Sequence, residues 1–512
     1  MKNILLKHFI PSVVLLSTML LTGCENDKWN DHYNEDSFNL PTQTLKEYIQ
    51  EEPSLSTFFE MLTATGYDSV LNSSQSFTVW APTNDALSGV NTADQQLVRN
   101  IVINHIARGR ITTSGVIDQP VKMIDGKYIH FKNTGAGYSL GDNNVITPNV
   151  QAINGLVHVI DGYAPYLFNL WEFMGKNDQL DSLSSYLYNQ KIEIFDAENS
   201  IEIGADSTGQ VIYDSAFIVT NPVLQKIGML NSEDSSYTVL MPDNTAWNDA
   251  YGRIEGFYNL PEDAGGAKRQ RSLTQFTIVQ NIVYPGIISQ PGSLDSVVST
   301  TGSVFYNPGT IFANAQQKEM SNGLGYITNQ FPFADSTWFK KIKVEAESSD
   351  GRTNSGSSIF TRTSYGTGMT TSGNRYILVD PTSVDPSVEF SIPNVLSAKY
   401  NIYCVFVPGK IVDPNDTVPT KARFQLTYIS RSSGSTFIKR FTPANNETNP
   451  DGLTKMLVTQ YDFEFANVID DDYDRVAVKL KVTNDVTPEE EQAGDFSRTM
   501  RIDCIILEPV SE

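Results

Sequence analysis

The thiol of Cys24 is the reactive side chain whose position in this sequence is most informative. It follows a mostly apolar run over residues 9–21, and Lys2 and Lys7 place positive charge before that run. The run is shorter than the roughly 20 apolar residues that a membrane-spanning helix needs, and its flanks suit a cleaved signal peptide. We therefore predict that residues 1–23 are removed and that the Cys24 sulfur then carries a lipid.

The segment LTGC, in which small Gly23 precedes Cys24, resembles the lipobox of bacterial lipoproteins. Several acyl chains on that cysteine would make membrane attachment effectively permanent, because each buried methylene contributes about 0.8 kcal/mol. Residues 24–41 are polar and acidic, which predicts a flexible tether. They also resemble an export signal for the outer face of a Gram-negative outer membrane, although a plain solvated spacer explains them equally simply.

Two further cysteines, Cys404 and Cys504, each lie in an apolar, strand-like run. Cysteine is a common core residue, which favours two buried free thiols. An exported protein can also form a disulfide, and spacing alone does not decide whether the two strands are neighbours. Both alternatives therefore stay open at the level of sequence.

Motifs for catalysis are absent from the sequence: it has no HExxH, no GxSxG and no phosphate-binding GxxxxGK[ST]. His105 lies on an apolar stripe with helical spacing, and His158 alternates with apolar residues in a strand, so both are expected in the core. A glycosidase needs only two carboxylates, and this chain has many, so their number decides nothing. We expect a protein that is not an enzyme.

The composition is that of globular domains with a strong acidic excess. The chain has 512 residues and a formal net charge of −22, which becomes −24 when two lysines leave with residues 1–23. An acidic surface argues against nucleic acid as a partner, because phosphates are bound by Lys and Arg. The length predicts roughly three domains.

An internal repeat covers the first two thirds of the chain. Each copy has a strand followed by a Pro turn and polar helix-capping residues, then a helix-like segment with a glycine, then an Asn-Gly turn that introduces a strand. The three landmarks recur in the same order, which indicates a duplicated domain. They are FTVWAPTNDAL (77–87) and YTVLMPDNTAW (237–247), IVINHIARGRI (101–111) and IVQNIVYPGII (278–288), and AINGLVHVID (152–161) and MSNGLGYITN (320–329).

These landmarks resemble the fasciclin family, whose domain combines a β-sandwich with short helices. The resemblance implies one fasciclin-like domain over residues 42–168 and a more degenerate one over 169–338, with an insertion-like stretch at about 169–221. It also implies adhesion or binding. His105 corresponds to Ile282 in the second copy, which again favours a structural role for the histidine.

The remaining residues, 339–512, contain alternating strands separated by Gly, Ser, Asn and Pro clusters. Their first and last strands resemble those of galactose-binding-like jelly rolls, a group that includes many carbohydrate-binding modules. The predicted fold class is therefore multidomain, α+β and all-β: two fasciclin-like β-sandwich-plus-helices domains followed by a β jelly-roll sandwich.

The jelly-roll resemblance implies a structural calcium ion between the terminal strands. Glu345, Glu347 and Asp503 are the predicted ligands, since calcium prefers hard oxygen donors. The alternative is that they are ordinary solvated carboxylates. No other cofactor is expected.

A glycan site requires an exposed aromatic face and nearby polar groups. The segment SYGTGMTTSGNRY offers Tyr365, Asn374, Arg375 and Tyr376 as candidate ligand-binding residues. Tyr376 begins a strand, so packing in the core is the alternative for that ring.

The function that these features predict is a lipid-anchored binding protein on the outer-membrane surface. It would capture a glycan nutrient, or assist the assembly of a starch-utilisation-type importer and its lipoprotein lid. The alternatives are a stand-alone adhesin that acts through the fasciclin-like domains, and an architectural lipoprotein whose jelly roll binds no sugar.

Overall fold

The computed structural model describes residues 41–205, 208, 210–383, 385–430, 435–471 and 473–510. The chain forms two compact units that divide between Tyr166 and Leu167. Within the described residues, no helix combines the length and the apolar character that crossing a membrane requires. The predicted signal peptide, Cys24 and the tether up to residue 40 lie outside the described residues.

The first unit is built on a seven-stranded sheet with the order β2-β1-β7-β6-β5-β4-β3. Strand β1 (Phe77–Pro82), next to the edge strand, is parallel to β7 (Gly155–Ile160) and antiparallel to β2 (Ile106–Arg108). Every residue of β1 and β7 is buried, because one side of the sheet packs on helices and the other on the outer strands. The IVINHIARGRI segment is a helix only as far as Ile103, and its second half is strand β2.

The helices of the first unit begin and end where local sequence predicts. Thr44 and Glu47 form a capping box that starts α1 (Leu45–Glu51). Helix α2 (Ser56–Thr65) ends at Gly66, whose left-handed φ of 76° favours glycine. Their buried faces complete the hydrophobic cluster beneath β1 and β7.

The second unit begins with a second copy of this arrangement of strands and helices, which we call the frame. Strand β10 (Tyr237–Pro242) is parallel to β15 (Gly323–Thr328) and antiparallel to β11 (Val283–Pro285), in a sheet with the order β11-β10-β15-β14. The register also repeats: Phe77 pairs with Gly155 in the first copy, and Tyr237 pairs with Gly323 in the second.

The insertion in the second copy is shorter than the sequence suggested. The predicted stretch began at Asn169, but helices α5 (Leu170–Met174) and α6 (Asp181–Tyr188) belong to the repeated frame. The extra element is one hairpin, β8 (Ile192–Ala205) paired with β9 (Val211–Thr220). It stands between α6 and α7 (Pro222–Ile227), at the place where the first copy has only Gly66 between two helices.

Residues from Ile342 to Pro509 form two antiparallel sheets. One has the order β18-β19-β26-β21-β24, with β16 also paired to β26, and the other has the order β17-β20-β25-β22-β23. Alternation buries one face of each central strand, as in β25 (Lys479–Asn484). The side chains buried between the two sheets belong to one hydrophobic cluster that continues into the second copy of the repeat, and two small clusters cover the other face of the first sheet. The two parts of this unit therefore share a core.

The remaining bounds are as follows. The other helices are α3 (Tyr67–Val70), α4 (Gln95–Ile103), α8 (Asn244–Ile254), α9 (Gly266–Val279), α10 (Pro308–Ile311) and α11 (Pro488–Ala493). The other strands are β3 (Asp118–Lys122), β4 (Tyr128–Asn133), β5 (Tyr138–Leu140), β6 (Asn143–Ala152), β12 (Ser296–Val298), β13 (Val304–Tyr306), β14 (Gln316–Met320), β16 (Ile342–Glu345), β17 (Arg352–Ser355), β18 (Ser357–Thr363), β19 (Arg375–Pro381), β20 (Ser387–Ser391), β21 (Lys399–Phe406), β22 (Ala422–Ile429), β23 (Thr436–Phe441), β24 (Thr454–Asp462) and β26 (Met500–Pro509).

Candidate functional site

The polar residues of the repeat landmarks satisfy backbone groups. Asn154 accepts a hydrogen bond from the Leu45 N–H (2.9 Å) and donates to the carbonyls of Leu71 (2.7 Å) and Ser73 (3.0 Å). An asparagine that is 8% exposed and has both amide ends engaged is a structural group. It has no free donor with which to bind a ligand.

Both core histidines likewise form hydrogen bonds with backbone groups. His105 is fully buried; its Nδ1 lies 2.6 Å from the Ile101 carbonyl, and its Nε2 accepts from the Ala164 N–H at 3.0 Å. Burial lowers the His105 pKa to about 4, so the ring is neutral at pH 7. His158 stacks on Trp80 with its Nε2 2.9 Å from the Ile111 carbonyl, and burial lowers its pKa too.

Two of the predicted calcium ligands, Glu345 and Asp503, meet at a break in the strand pairing of β26, and Cys504 rather than Glu347 is the third member of their group. Strand β16 pairs with β26 as far as Glu345 opposite Cys504, and β19 pairs with β26 from Ile377 opposite Ile502. Asp503 lies at the junction, where the pairing of β26 with β21 also shifts register. Such a bulge redirects a side chain out of the regular alternation, and here it brings the Asp503 carboxylate beside Glu345.

Ser372, in the turn before β19, holds the two carboxylates together. Its backbone N–H donates to Asp503 Oδ1 at 2.8 Å, and its hydroxyl donates to Glu345 Oε1 at 2.5 Å. The ligand atoms of Glu345, Asp503 and Cys504 all lie within 4.8 Å of one another. Burial, followed by repulsion from Glu345 and Glu347, raises the Asp503 pKa to about 6.

This cluster fits a hard cation. The second oxygens of Glu345 and Glu347 (Oε2) are buried and have no hydrogen-bond partner among the described residues. Buried carboxylate oxygens are costly unless something positive binds them. Lys343 Nζ contacts Glu345 Oε1 (2.7 Å) and donates to the Ser372 hydroxyl (2.5 Å), and neither contact uses Glu345 Oε2. Burial raises the Cys504 thiol pKa to about 12, so the neighbouring sulfur stays protonated and the donors are oxygens.

The predicted glycan residues divide between surface and core. Tyr365 is 83% exposed, and Asn374 and Arg375 are exposed in the turn that precedes β19. Tyr376 is only 1% exposed and packs with Val407 and Ile411, so its ring face is not accessible to a sugar. Strand alternation directs Ile377 and Val379 to the main core and Tyr376 to the opposite face, where Val407 and Ile411 cover its ring.

The two cysteines of the sandwich are free and buried. Cys404 in β21 pairs with Ile505 in β26, so Cys504 is opposite Val405. Because side chains alternate along a strand, this register directs the two thiols to opposite faces of the sheet. Cys404 accordingly belongs to the main core and Cys504 to a separate small cluster, which excludes the disulfide alternative.

Sequence reasoning missed Ser372 and the bulge at Asp503. The Ser-Gly-Asn turn before the strand was a usable signal, because such turns present backbone N–H groups to acidic side chains. The bulge left no local signal, since it depends on how β26 pairs with three other strands.

Comparison with known proteins identifies the module of the first unit: residues 53–163 match the Fasciclin domain. This part of the chain resembles protein sll1483 of Synechocystis, with 29% identity over 127 residues that cover 23% of this chain and 71% of that protein. It also resembles human Periostin, with 22% identity over 129 residues that cover 23% of this chain and 15% of Periostin. The chain therefore spans only a small part of that second relative.

Two solved structures are also similar. The FAS1 domain pair of the insect cell adhesion molecule Fasciclin I aligns over 56% of this chain and 98% of that chain, with 13% identity and a TM-score of 0.21. A Clostridium thermocellum xylanase 10B fragment with a CBM22 module, solved with xylohexaose, aligns over 34% of this chain and 28% of that one, with 15% identity and a TM-score of 0.22.

Proposed function

We propose that this chain is a non-catalytic binding protein of the cell surface. The observation that carries this proposal is the Fasciclin domain over residues 53–163, a module of adhesion proteins. The histidines and asparagines of its landmarks bind the backbone of their own unit, which supports a binding rather than a catalytic role. Lipidation at Cys24 would hold the mature chain in the outer membrane, facing outward.

The ligand that we propose is a glycan, bound by the two-sheet region that we interpret as a jelly roll. Support comes from the cluster of Glu345, Asp503 and Cys504, with Glu347 close enough to raise the Asp503 pKa, which joins the first and last strands of that region. A calcium ion there would fix the loop around Ser372, and this loop leads directly to exposed Asn374 and Arg375. In this proposal the protein serves a starch-utilisation-type importer, either by capturing its glycan or by assisting its assembly.

A stand-alone adhesin is the second candidate function. It is favoured by the Fasciclin domain over residues 53–163, which lies entirely in the first unit and needs no part of the sandwich. In this case the contact surface would be a fasciclin-like domain, and the sandwich would bind no sugar.

Affinity purification separates the two candidates. The tagged full-length lipoprotein is purified from gently solubilised outer membranes, with Cys24→Ala as the control that should leave the membrane fraction. Stoichiometric recovery of a barrel transporter and its lid lipoprotein is the result expected for the importer role. Recovery of the protein alone, together with loss of cell-to-surface attachment in a deletion strain, would replace that role with adhesion.

A further inference from the structure

A cleft of about 1000 Å³ lies inside the second unit, between the second copy of the repeat and the sandwich. Its walls come from the end of α8 and the turn after it, from residues 335–341 that lead into β16, and from the ends of β21, β24 and β26. Volumes of this size are at the upper end of small-molecule sites. We call it the junction cleft.

The walls of the junction cleft are fixed by direct contacts. The Ser397 N–H donates to the Phe257 carbonyl at 2.9 Å, and Asn259 Nδ2 donates to the Glu464 carbonyl at 2.7 Å. The ring of Phe339 lies 5.1 Å from that of Phe257 on one side and 5.1 Å from that of Tyr400 on the other. These aromatic contacts join the repeat to the sandwich, so the cleft is a preformed surface.

The charge of the cleft differs from that of the chain. Four basic residues line it (Arg253, Lys340, Lys341 and Lys399), against two acidic ones (Asp335 and Asp462). The whole chain has a net charge of −22, so the lining of this cleft is more basic than the chain as a whole.

Among the described residues, two of the cleft lysines form no ion pair, and one of them, Lys399, lies across the β21–β24 ladder from Asp462. Arg253 pairs with Asp335 at 2.7 Å, and Lys341 lies 3.7 Å from Glu508. In the part of the chain that the structure describes, neither Lys340 nor Lys399 has an ion pair or a side-chain hydrogen bond. Their ammonium groups are therefore available to an anion.

We propose that the junction cleft binds an acidic oligosaccharide, with its carboxylate or sulfate groups on Lys340 and Lys399 and a sugar face against Phe257. This inference rests on the proposed glycan capture and names its substrate class. Lys340 lies on the segment that leads into β16 and Lys399 begins β21, so the two unpaired cations come from different walls of the cleft. At physiological ionic strength charges are screened beyond about 8 Å, so the cleft lysines outweigh the distant acidic surface.

The test is calorimetric titration of the full-length mature protein with three probes: a galacturonate oligomer, a sulfated oligosaccharide and neutral maltoheptaose. The variant is Lys340→Glu with Lys399→Glu, and the comparison variant is Lys481→Glu on β25, a single charge reversal in another cavity that Arg423 and Arg440 also line. We expect an acidic probe to bind, salt to weaken it, the double variant to lose at least 10-fold in affinity, and the comparison variant to keep it. Comparison of the carboxylated and sulfated probes identifies the anionic group.

Three results would overturn the inference. Binding of neutral maltoheptaose alone would keep glycan capture and reject the acidic substrate class. Loss of acidic binding in Lys481→Glu but not in the double variant would place the site elsewhere. No binding of any probe would reject the inference, and binding of other neutral glycans on an array would then decide whether glycan capture itself survives. Because both lysines are exposed, the double variant should keep the melting temperature of the unchanged protein. Measuring that temperature excludes misfolding as the cause of any lost binding.

Discussion

The two copies of the repeat differ in their cores but agree in their polar frame. Asn322 in the second copy accepts from the Leu170 N–H at 2.8 Å and donates to the carbonyls of Leu230 and Ser232, both at 2.9 Å, as Asn154 does in the first. In contrast, fully buried His105 corresponds to Ile282, which is also buried. The difference teaches that backbone hydrogen bonding, more than core chemistry, defines this fold.

One pair of positions shows how core packing and backbone hydrogen bonding are met by the same side chain. His158 reaches the Ile111 carbonyl through Nε2 at 2.9 Å, and its counterpart Tyr326 reaches the Ile288 carbonyl through its hydroxyl at 2.7 Å. The side chains differ in shape and chemistry, yet both supply one donor to the same place in the frame. The backbone acceptor is therefore the constant feature, because an unsatisfied buried carbonyl is costly.

The largest effect should come from breaking this frame. Asn154→Ala removes three hydrogen bonds and leaves buried backbone groups without partners, which should destabilise the first unit by about 4 kcal/mol. Asn322→Ala should do the same to the second unit. Hydrogen exchange measured by mass spectrometry on peptides of each unit would show which unit loses protection.

Asn189→Ala is the matched control for both variants, because Asn189 is exposed and only ends α6. It should change stability by less than about 0.5 kcal/mol. Equal loss of protection in both units from Asn154→Ala alone would contradict the view that each asparagine serves its own copy.

The sequence predicted the frame because its signals are local. The strand-Pro-turn and Asn-Gly segments are short patterns whose geometry does not depend on distant residues, as β1 and β10 illustrate. The segment after Ile103 was harder to assign: a helix and strand β2 follow each other within one apolar run, and the parallel strand pair selects the strand. The β8–β9 hairpin could not be separated from the frame by sequence, since helices α5 and α6 have no counterpart motif among the landmarks.

The sequence indicated which carboxylates could form the site, but not how the fold brings them together. Glu345 and Asp503 were named from the end strands, but their approach depends on a bulge and on the turn at Ser372. Tyr376 illustrates the reverse case, in which loop-like composition suggested exposure and strand β19 buried the ring. The junction cleft was not predictable, because its walls come from segments that are far apart in sequence.

Because the first copy has a buried histidine, His105, where the second copy has Ile282, low pH should destabilise the first unit. His105 has its pKa lowered to about 4 in the folded state, against 6.5 unfolded. Between these two pKa values the imidazole binds a proton in the unfolded chain but not in the folded one. The free energy of unfolding of the first unit is therefore undiminished by this group above pH 6.5, and it falls by about 3 kcal/mol as the pH drops to 4. Unfolding of the first unit should be measured between pH 7 and 4.5.

His105→Leu is the control for the pH experiment. It lowers stability at pH 7, because the Ala164 N–H loses its acceptor, but it should flatten the pH dependence of the first unit. The second unit has Ile282 at this position and should show no corresponding change. An unchanged pH slope in the His105→Leu variant would assign the acid sensitivity to other groups.

Added calcium should stabilise the second unit and leave the first unit unchanged. An ion held by Glu345, Glu347 and Asp503 at 100 times its dissociation constant would stabilise the second unit by about 2.7 kcal/mol. Its melting temperature should rise with added calcium and fall with a chelator, while the first unit does not respond. Glu345→Gln with Glu347→Gln should abolish the response, and Glu389→Gln, on the face of β20 away from this cluster, should keep it.

The smallest effect on stability should come from removing the hairpin that distinguishes the second copy. Its apolar side chains face solvent on both sides: Ile194 pairs with Ile218 on one face and Phe195 with Phe217 on the other, all of them exposed. Replacing Ile192–Thr220 with a short Gly-Ser turn should leave the melting temperature of the second unit within about 2 °C, since these four exposed side chains contribute little to the core.

The base of the hairpin should matter more than the hairpin itself. Asn221 caps α7 and donates from Nδ2 to the Leu187 carbonyl at 2.8 Å, which closes the frame beneath the insertion. Asn221→Ala should therefore cost about 2 kcal/mol even though the hairpin remains. A larger loss from deleting the hairpin than from this single substitution would show that the ribbon stabilises the second copy, and that the two copies differ in more than their core side chains.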